Sequence, residues 1–235
     1  MEKFGHITLI NDDCMNILWK LPDKCFDLAI VDPPYGIGEN GSKNKNRSNR
    51  TKFKGHHNKN IVKSTYYHSF AGNDSKPMCP EYFNQIFRIS KNQIIWGANH
   101  FIELINKNSS CWIVWDKDNG SNDFADCELA WTSFSKSVRK FKFKWHGMLQ
   151  ENMKNKEIRI HPTQKPVALY KWLLKNYARL GDKILDTHLG SGSICIACDE
   201  MGFEMTGIEL DKEYYEAAKK RLITHQLQMK LNFND

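Results

Sequence analysis

Residues 28–36 read LAIVDPPYG, and their order poses a chemical problem. A β-branched and aliphatic run stops at Asp32, and Pro33, Pro34 and Tyr35 follow at once. Proline cannot donate to a sheet ladder, so a buried strand ends here and presents a carboxylate, a stiff dipeptide and an aromatic ring at its exposed end. An amide nitrogen or the exocyclic amino nitrogen of a base is a poor nucleophile, because its lone pair is delocalised. Two fixed acceptors gripping both N–H hydrogens favour the pyramidal geometry from which it can attack. The Asp32 carboxylate and the Pro33 carbonyl, held by the Pro33–Pro34 pair, are suitable acceptors, and Tyr35 offers a face for a planar base to stack on. Fixed dipoles and orientation of this kind stabilise a transition state. No strong base is required, since the proton leaves easily once the nitrogen is cationic.

The second chemical pattern is LDTHLGSGS at 185–193, which closes a strand and opens a helix. Glycine in such a turn permits positive φ and lets a ligand approach the backbone. Glu209 ends the following strand, 19 positions after Gly190, where an acid can bind ribose hydroxyls. A lone Gly-x-Gly also suits a plain helix-packing turn, but an acid on either side of it favours a nucleoside-type cofactor. The dinucleotide fingerprint needs a third glycine where Cys195 stands, which disfavours a nicotinamide or flavin enzyme. Asp186 would repel a pyrophosphate and attract an ammonium group. S-adenosyl-L-methionine, with an amine, a sulfonium and no phosphate, fits those electrostatics better.

Strands are expected over ITLI (7–10), FDLAIV (26–31), NQIIWGAN, SCWIVWDK and CELAWTSF, with RKFKFKW alternating. PEYFNQIFRIS (80–90) and KPVALYKWLLKNYAR have helical spacing, with Pro166 suited to a first helical turn. DKILDTHL, ICIACDEMG, FEMTGIEL and DKEYYEAAKKRLITHQL then read strand, helix, strand, helix, with Asp211 as the last helix's N-cap. That is a parallel βαβ unit, so the fold class is α/β. One domain over 1–235 is expected, with a basic loop insertion at 36–75 and a small base-reading region at 117–160.

The formal charge of +7 is unevenly spread. Residues 41–63 hold eight Lys/Arg and no acid, and residues 136–160 hold eight against two. Those 48 residues therefore carry +14 and leave −7 on the other 187. Concentrated positive charge suits a polyanion such as nucleic acid, and the aromatics of FKFKW add to that reading. Seven cysteines without framework spacing read as buried small hydrophobes, with Cys195 and Cys198 on the inner face of one helix, and no metal site is expected. No apolar run is long enough for a membrane span, and the N-terminus lacks signal-peptide features, so a cytoplasmic protein is the expectation.

DPPYG (32–36), HPTQKP (161–166) and DTHLGSGS (186–193) together resemble the motif set of S-adenosylmethionine-dependent amino methyltransferases acting on DNA, in the order of the beta class. The resemblance covers most of the chain and is weakest over 37–160. It implies a Rossmann-like class I methyltransferase fold, circularly permuted, with the catalytic DPPY half N-terminal and the Gly-rich cofactor half C-terminal. It implies Asp32, Pro33, Pro34 and Tyr35 as catalytic. It implies Asp186, Gly190, Ser191, Gly192, Ser193 and Glu209 as cofactor-binding, Asp13 at the adenine end, and Thr163, Gln164 and Lys165 near the methionine end. The family more often has Pro and Phe where this chain has Thr187 and His188. His188 either covers the cofactor as that Phe would, or is a polar loop residue.

The leading expectation is a site-specific DNA methyltransferase acting on adenine N6, with the target base flipped out of the duplex. Asp rather than Ser before PPY favours adenine over cytosine N4. The alternatives are N4-cytosine, RNA or protein-amide methylation, or a catalytically silent nucleic-acid-binding relative. A homodimer and a cognate restriction endonuclease are the protein partners the resemblance allows, and neither is legible in the residues.

Overall fold

The strand centres LAIV (28–31), IL (184–185) and MTGI (205–208) carry no charge, as strands covered on both faces must. In the computed structural model, which describes residues 1–37, 76–120, 125–146 and 149–232, they form the parallel middle of a nine-stranded mixed sheet. The elements along the chain are β1 (Glu2–Phe4), β2 (Ile7–Asn11), α1 (Cys14–Leu18), β3 (Phe26–Val31), α2 (Pro80–Ile89), β4 (Ser90–Trp96), α3 (Ile102–Ile105), β5 (Trp112–Asp116), β6 (Cys127–Thr132) and β7 (Arg139–Lys142). The short pair β8 (Trp145–His146) and β9 (Leu149–Gln150), α4 (Val167–Tyr177), β10 (Lys183–Asp186), α5 (Ser193–Met201), β11 (Glu204–Glu209) and α6 (Lys212–Asn232) follow.

The strand order is β1-β2-β11-β10-β3-β4-β6-β5-β7. From β2 to β4 every neighbour is parallel, while β6 runs antiparallel to both β4 and β5. The parallel strands therefore all end on one edge of the sheet, and β6 begins there. Strand β10 continues through α5 to β11 on one side, whereas β3 leads to β4 on the other. The connections diverge between β10 and β3, and a crevice opens at the carboxyl ends of strands where that happens. This is the Rossmann-like arrangement expected.

Alternation along each strand splits the core into two layers. Leu28, Ile30, Ile94, Trp96 and Ile184 face α4, α5 and α6, while Ala29, Val31, Ile95 and Leu185 face α1, α2 and α3. Each of the larger side chains is almost fully buried, and each contributes about 1.5–3 kcal/mol of apolar burial. In α5, Cys195 and Cys198 are both buried in the first layer, and Gly202 ends the helix with φ of 74°. The Asp211 carboxylate accepts from Glu213 N and Tyr214 N, the capping placement expected. Pro166 stands at the N-cap of α4, one residue earlier than a first-turn proline.

One expectation changes. The aromatics of FKFKW do not wait for nucleic acid. Phe141 lies 5.5 Å from Trp172 of α4 and 5.6 Å from Phe143, and both phenylalanines pack against the core. The intervening lysines are partly neutralised, since Lys140 pairs with Asp116, and Lys142 and Lys144 pair with Asp118. Alternation had placed rings and cations on opposite faces of one strand, which is what an edge strand over a helix needs. Within 117–160, moreover, β6 and β7 belong to the main sheet. Of the basic insertion at 36–75, residues 38–75 lie outside the described residues. Its flanks meet, with Tyr35 bridging Pro77.

Candidate active site

The carboxyl ends of β2, β3, β10 and β11 and the 161–165 turn surround a cavity of about 290 Å³. It is lined by Asp32, Pro33, Pro34 and Tyr35 from one side and by Asp13, His188, Gly190, Ser191 and Glu209 from the other, with Lys165 among them. Asp186, Gly192 and Ser193 are not among the lining residues. Asp186 is buried behind the wall, and its carboxylate accepts from His188 N at 3.0 Å. Gly192 is packed against α6. Its φ is 68°, and a Cβ there would sit 3.0 Å from the Ala218 Cβ of α6.

The Gly-rich turn is held by charge. Glu209 accepts from Gly190 N at 2.7 Å and Asp211 N at 2.9 Å, so the acid expected to meet ribose also fixes the turn. Asp13 accepts from Met15 N at 2.8 Å and caps α1. Arg221 donates to Ser191 O and Ser193 Oγ, and its other nitrogen pairs with Glu157 at 2.8 Å. Glu157 in turn accepts from Val167 N, tying the turn to the start of α4. His188 is held near a pKa of about 4 by burial, so its ring is neutral at pH 7. It stands edge-on to Tyr82 and contacts Thr187 Oγ1, a placement that suits a ring on the cavity wall.

On the other side, the expected open acceptor is a shared one. Lys165 Nζ lies 2.5 Å from Asp32 Oδ2, and the Tyr35 hydroxyl donates to Asp32 Oδ1 at 2.7 Å. Lys165 was expected at the methionine end of the cofactor, and its ammonium pairs with the carboxylate of DPPY. It also lies 3.1 Å from Glu128, which pairs with Lys117 at 2.6 Å. Burial opposes the Lys165 charge, but Asp32 and Glu128 outweigh it and raise its pKa. Burial likewise pushes the Glu128 carboxyl up, and the two lysines overcome it, holding it at about 2. The Tyr35 hydroxyl is raised well above its ordinary value by burial and then by Asp32.

Tyr35 also differs from a free stacking platform. Its ring stacks on His100 at 5.3 Å and passes over Gly97, whose φ is 68°. A Cβ on Gly97 would lie 2.1 Å from a Tyr35 ring carbon. Gly97→Ala is therefore expected to displace the ring and lower turnover at least about tenfold, the cost of a misplaced reacting geometry. Cofactor affinity, measured by calorimetry, should hold. Unchanged turnover would show that the ring's seat is irrelevant.

Several site residues escaped sequence reasoning. Glu128 read only as a strand residue, and nothing local marks it. Tyr170 and His161 also line the cavity, and their helical spacing and HPT context were the available signals. Among the described residues no helix is long and apolar enough to cross a membrane.

A family model described as DNA methylase, of the N6/N4 group, matches residues 26–220. The chain is 26% identical to the type II methyltransferase M.HpaI of Haemophilus parainfluenzae, over 91% of this chain and 73% of that one. It is 26% identical to M.HinfI of Haemophilus influenzae, over 92% of this chain and 68% of that one. Among solved structures it resembles M1.HpyAVI in complex with SAM, with a TM-score of 0.55, 22% identity, and coverage of 92% of this chain and all of the other. It also resembles the cytosine-N4-specific PvuII DNA methyltransferase, with a TM-score of 0.57, 11% identity, and coverage of 92% and 89%.

Proposed function

This chain belongs to the N6/N4 family of DNA methylases, and on that premise we propose that it transfers the methyl group of S-adenosyl-L-methionine to the exocyclic N6 of adenine in duplex DNA. The observation that carries the reading is the meeting of DPPY and the Gly-rich turn across one cavity. The donor set fits the cofactor. The wall holds Asp13, Asp32, Glu128, Glu209 and Asp211 against Lys165, an acidic surround that favours an amine and a sulfonium over a pyrophosphate. Gly190, Ser191 and Glu209 would hold it, with Asp13 on the adenine side and Asp186 behind. When bound it supplies an electrophilic methyl group.

The chain's own residues do the rest. The Asp32 carboxylate and the Pro33 carbonyl accept the two N–H hydrogens of the target amino group and localise its lone pair. Tyr35 and Lys165 hold the carboxylate in place, so little reorganisation accompanies reaction. As positive charge grows on the nitrogen, the nearby Asp32 carboxylate stabilises it, and the proton leaves easily once the methylated nitrogen is cationic. The fold itself is shared with a cytosine-N4-specific enzyme, so the adenine reading rests on the aspartate before PPY.

We read the chain order as a circular permutation of the methyltransferase sheet. The cations of 41–63, together with others of 136–160, would hold the phosphates. Tritiated methyl groups from S-adenosyl-L-methionine are expected to enter duplex DNA. Label entering only RNA or a protein amide would overturn the substrate assignment.

A further inference from the structure

The strand β6 enters the sheet antiparallel to β4, pairing Ala130 with Trp96. Its first residues therefore reach past the end of β4, to the edge where β3 delivers Asp32. Glu128 thus stands in the cavity wall with a lysine on each carboxylate oxygen. Lys117 Nζ is 2.6 Å from Oε1, and Lys165 Nζ is 3.1 Å from Oε2. Lys165 is in turn 2.5 Å from Asp32, and its side chain is only 3% exposed. Signs alternate along Lys117, Glu128, Lys165 and Asp32, and the chain of four is neutral.

We propose that Glu128 is a positioning residue for methyl transfer, which acts by sharing the Lys165 ammonium with Asp32. The proposal rests on Asp32 being the acceptor of the target amino group. A buried lysine needs an anion beside it, and an ammonium with one partner concentrates its N–H donors there. With Glu128 present, part of that demand is met elsewhere, and Asp32 keeps lone pairs for the substrate's N–H hydrogens. Without it, Asp32 is the only anion paired with the cation, with the Tyr35 hydroxyl at 3.3 Å its other acceptor, and the cation opposes the positive charge that develops on the nitrogen. Lys117 pulls the other way, because its cation on Oε1 draws on the charge with which Glu128 holds Lys165 through Oε2.

The two neighbours of the network therefore have opposite expected effects. Glu128→Gln, close in shape, should lower the single-turnover rate about tenfold to a hundredfold, the worth of one charge-assisted hydrogen bond in the transition state. DNA affinity and Tm should change little. Glu128→Asp should recover part of the rate by restoring the charge. Lys117→Met should leave the rate at or above the wild-type value, since Glu128 then holds Lys165 alone.

A merely structural network would lose rate and Tm in both Glu128→Gln and Lys117→Met, and that result would overturn the proposal. Asp32→Ala, which removes both acceptor oxygens, separates the two levels. If it still transfers methyl groups, the acceptor reading fails. If it is inactive while Glu128→Gln turns over normally, only the role of Glu128 fails.

Discussion

Asp32→Asn is expected to lower methyl transfer by at least about a hundredfold, in the range of losing one preorganised group at a reacting centre. The substitution keeps the shape and removes the charge that Lys165 and Tyr35 hold in place. It also puts an amide NH₂ where two donors already point, so one of them must turn away. Cofactor affinity should stay within about threefold, because Gly190 and Ser191 lie in the turn after β10 and Glu209 ends β11, away from the strand that changes. Stopped single-turnover assays with a parallel calorimetric titration read both quantities. Turnover near the wild-type rate would remove the Asp32 charge from the chemistry. Loss of both rate and cofactor binding would make it a structural anchor of the whole cavity.

The second large effect concerns pH. Burial, with smaller contributions from Asp32 and Glu209 and with His188 N opposing, raises the Asp186 carboxyl from its ordinary 3.8 to about 8. The folded protein then keeps a proton that the unfolded chain releases near its ordinary value. Between those two limits the native state binds more protons, so stability falls as pH rises. The contribution is fully present below about pH 4 and is lost as pH passes about 8.

Each tenfold difference in proton affinity is about 1.4 kcal/mol. For a chain of this length that displaces Tm by roughly 3–6 °C per pH unit in the window. Asp186→Asn should flatten the dependence, and the wild-type-minus-mutant difference in Tm isolates this group from others that titrate. A mutant that tracks the wild type at every pH would place the carboxyl's pKa in the ordinary range. If the cationic cofactor lies against this wall as proposed, it favours the ionised carboxyl. Its binding should then release a proton, and its affinity should rise between pH 5 and 8.

Much of the sheet was legible because uncharged β-branched runs have few other uses. LAIV, QIIW and MTGI each became a parallel strand, and Gly202 and Asp211 marked helix ends by their own chemistry. The Glu2–Phe4 strand was not legible, since three residues carry no period. The edge where Asp32 and Gly190 meet followed from strand ends and turns alone.

What lies across that edge did not follow. Lys165 and Asp32 are 133 positions apart, and Glu128 joins them only because β6 happens to run backwards beside β4. Strand alternation gives a residue's face and says nothing of what stands at the strand's mouth. Tyr35 was read from the face of its ring, while its hydroxyl and the glycine beneath it set its position. The charge sum over 136–160 is partly offset for a related reason, since Asp116 and Asp118, outside that window, pair with three of its lysines.

The most direct test of the central claim is the chemical identity of the product. DNA from a host expressing the wild-type protein, digested to nucleosides and resolved by mass spectrometry, is expected to contain N6-methyladenine. DNA from a host expressing Asp32→Asn should lack it. N4-methylcytosine in its place would contradict the adenine assignment, and unmodified DNA in the wild-type sample, with cofactor shown to bind, would contradict the reading of DPPY as a working acceptor site.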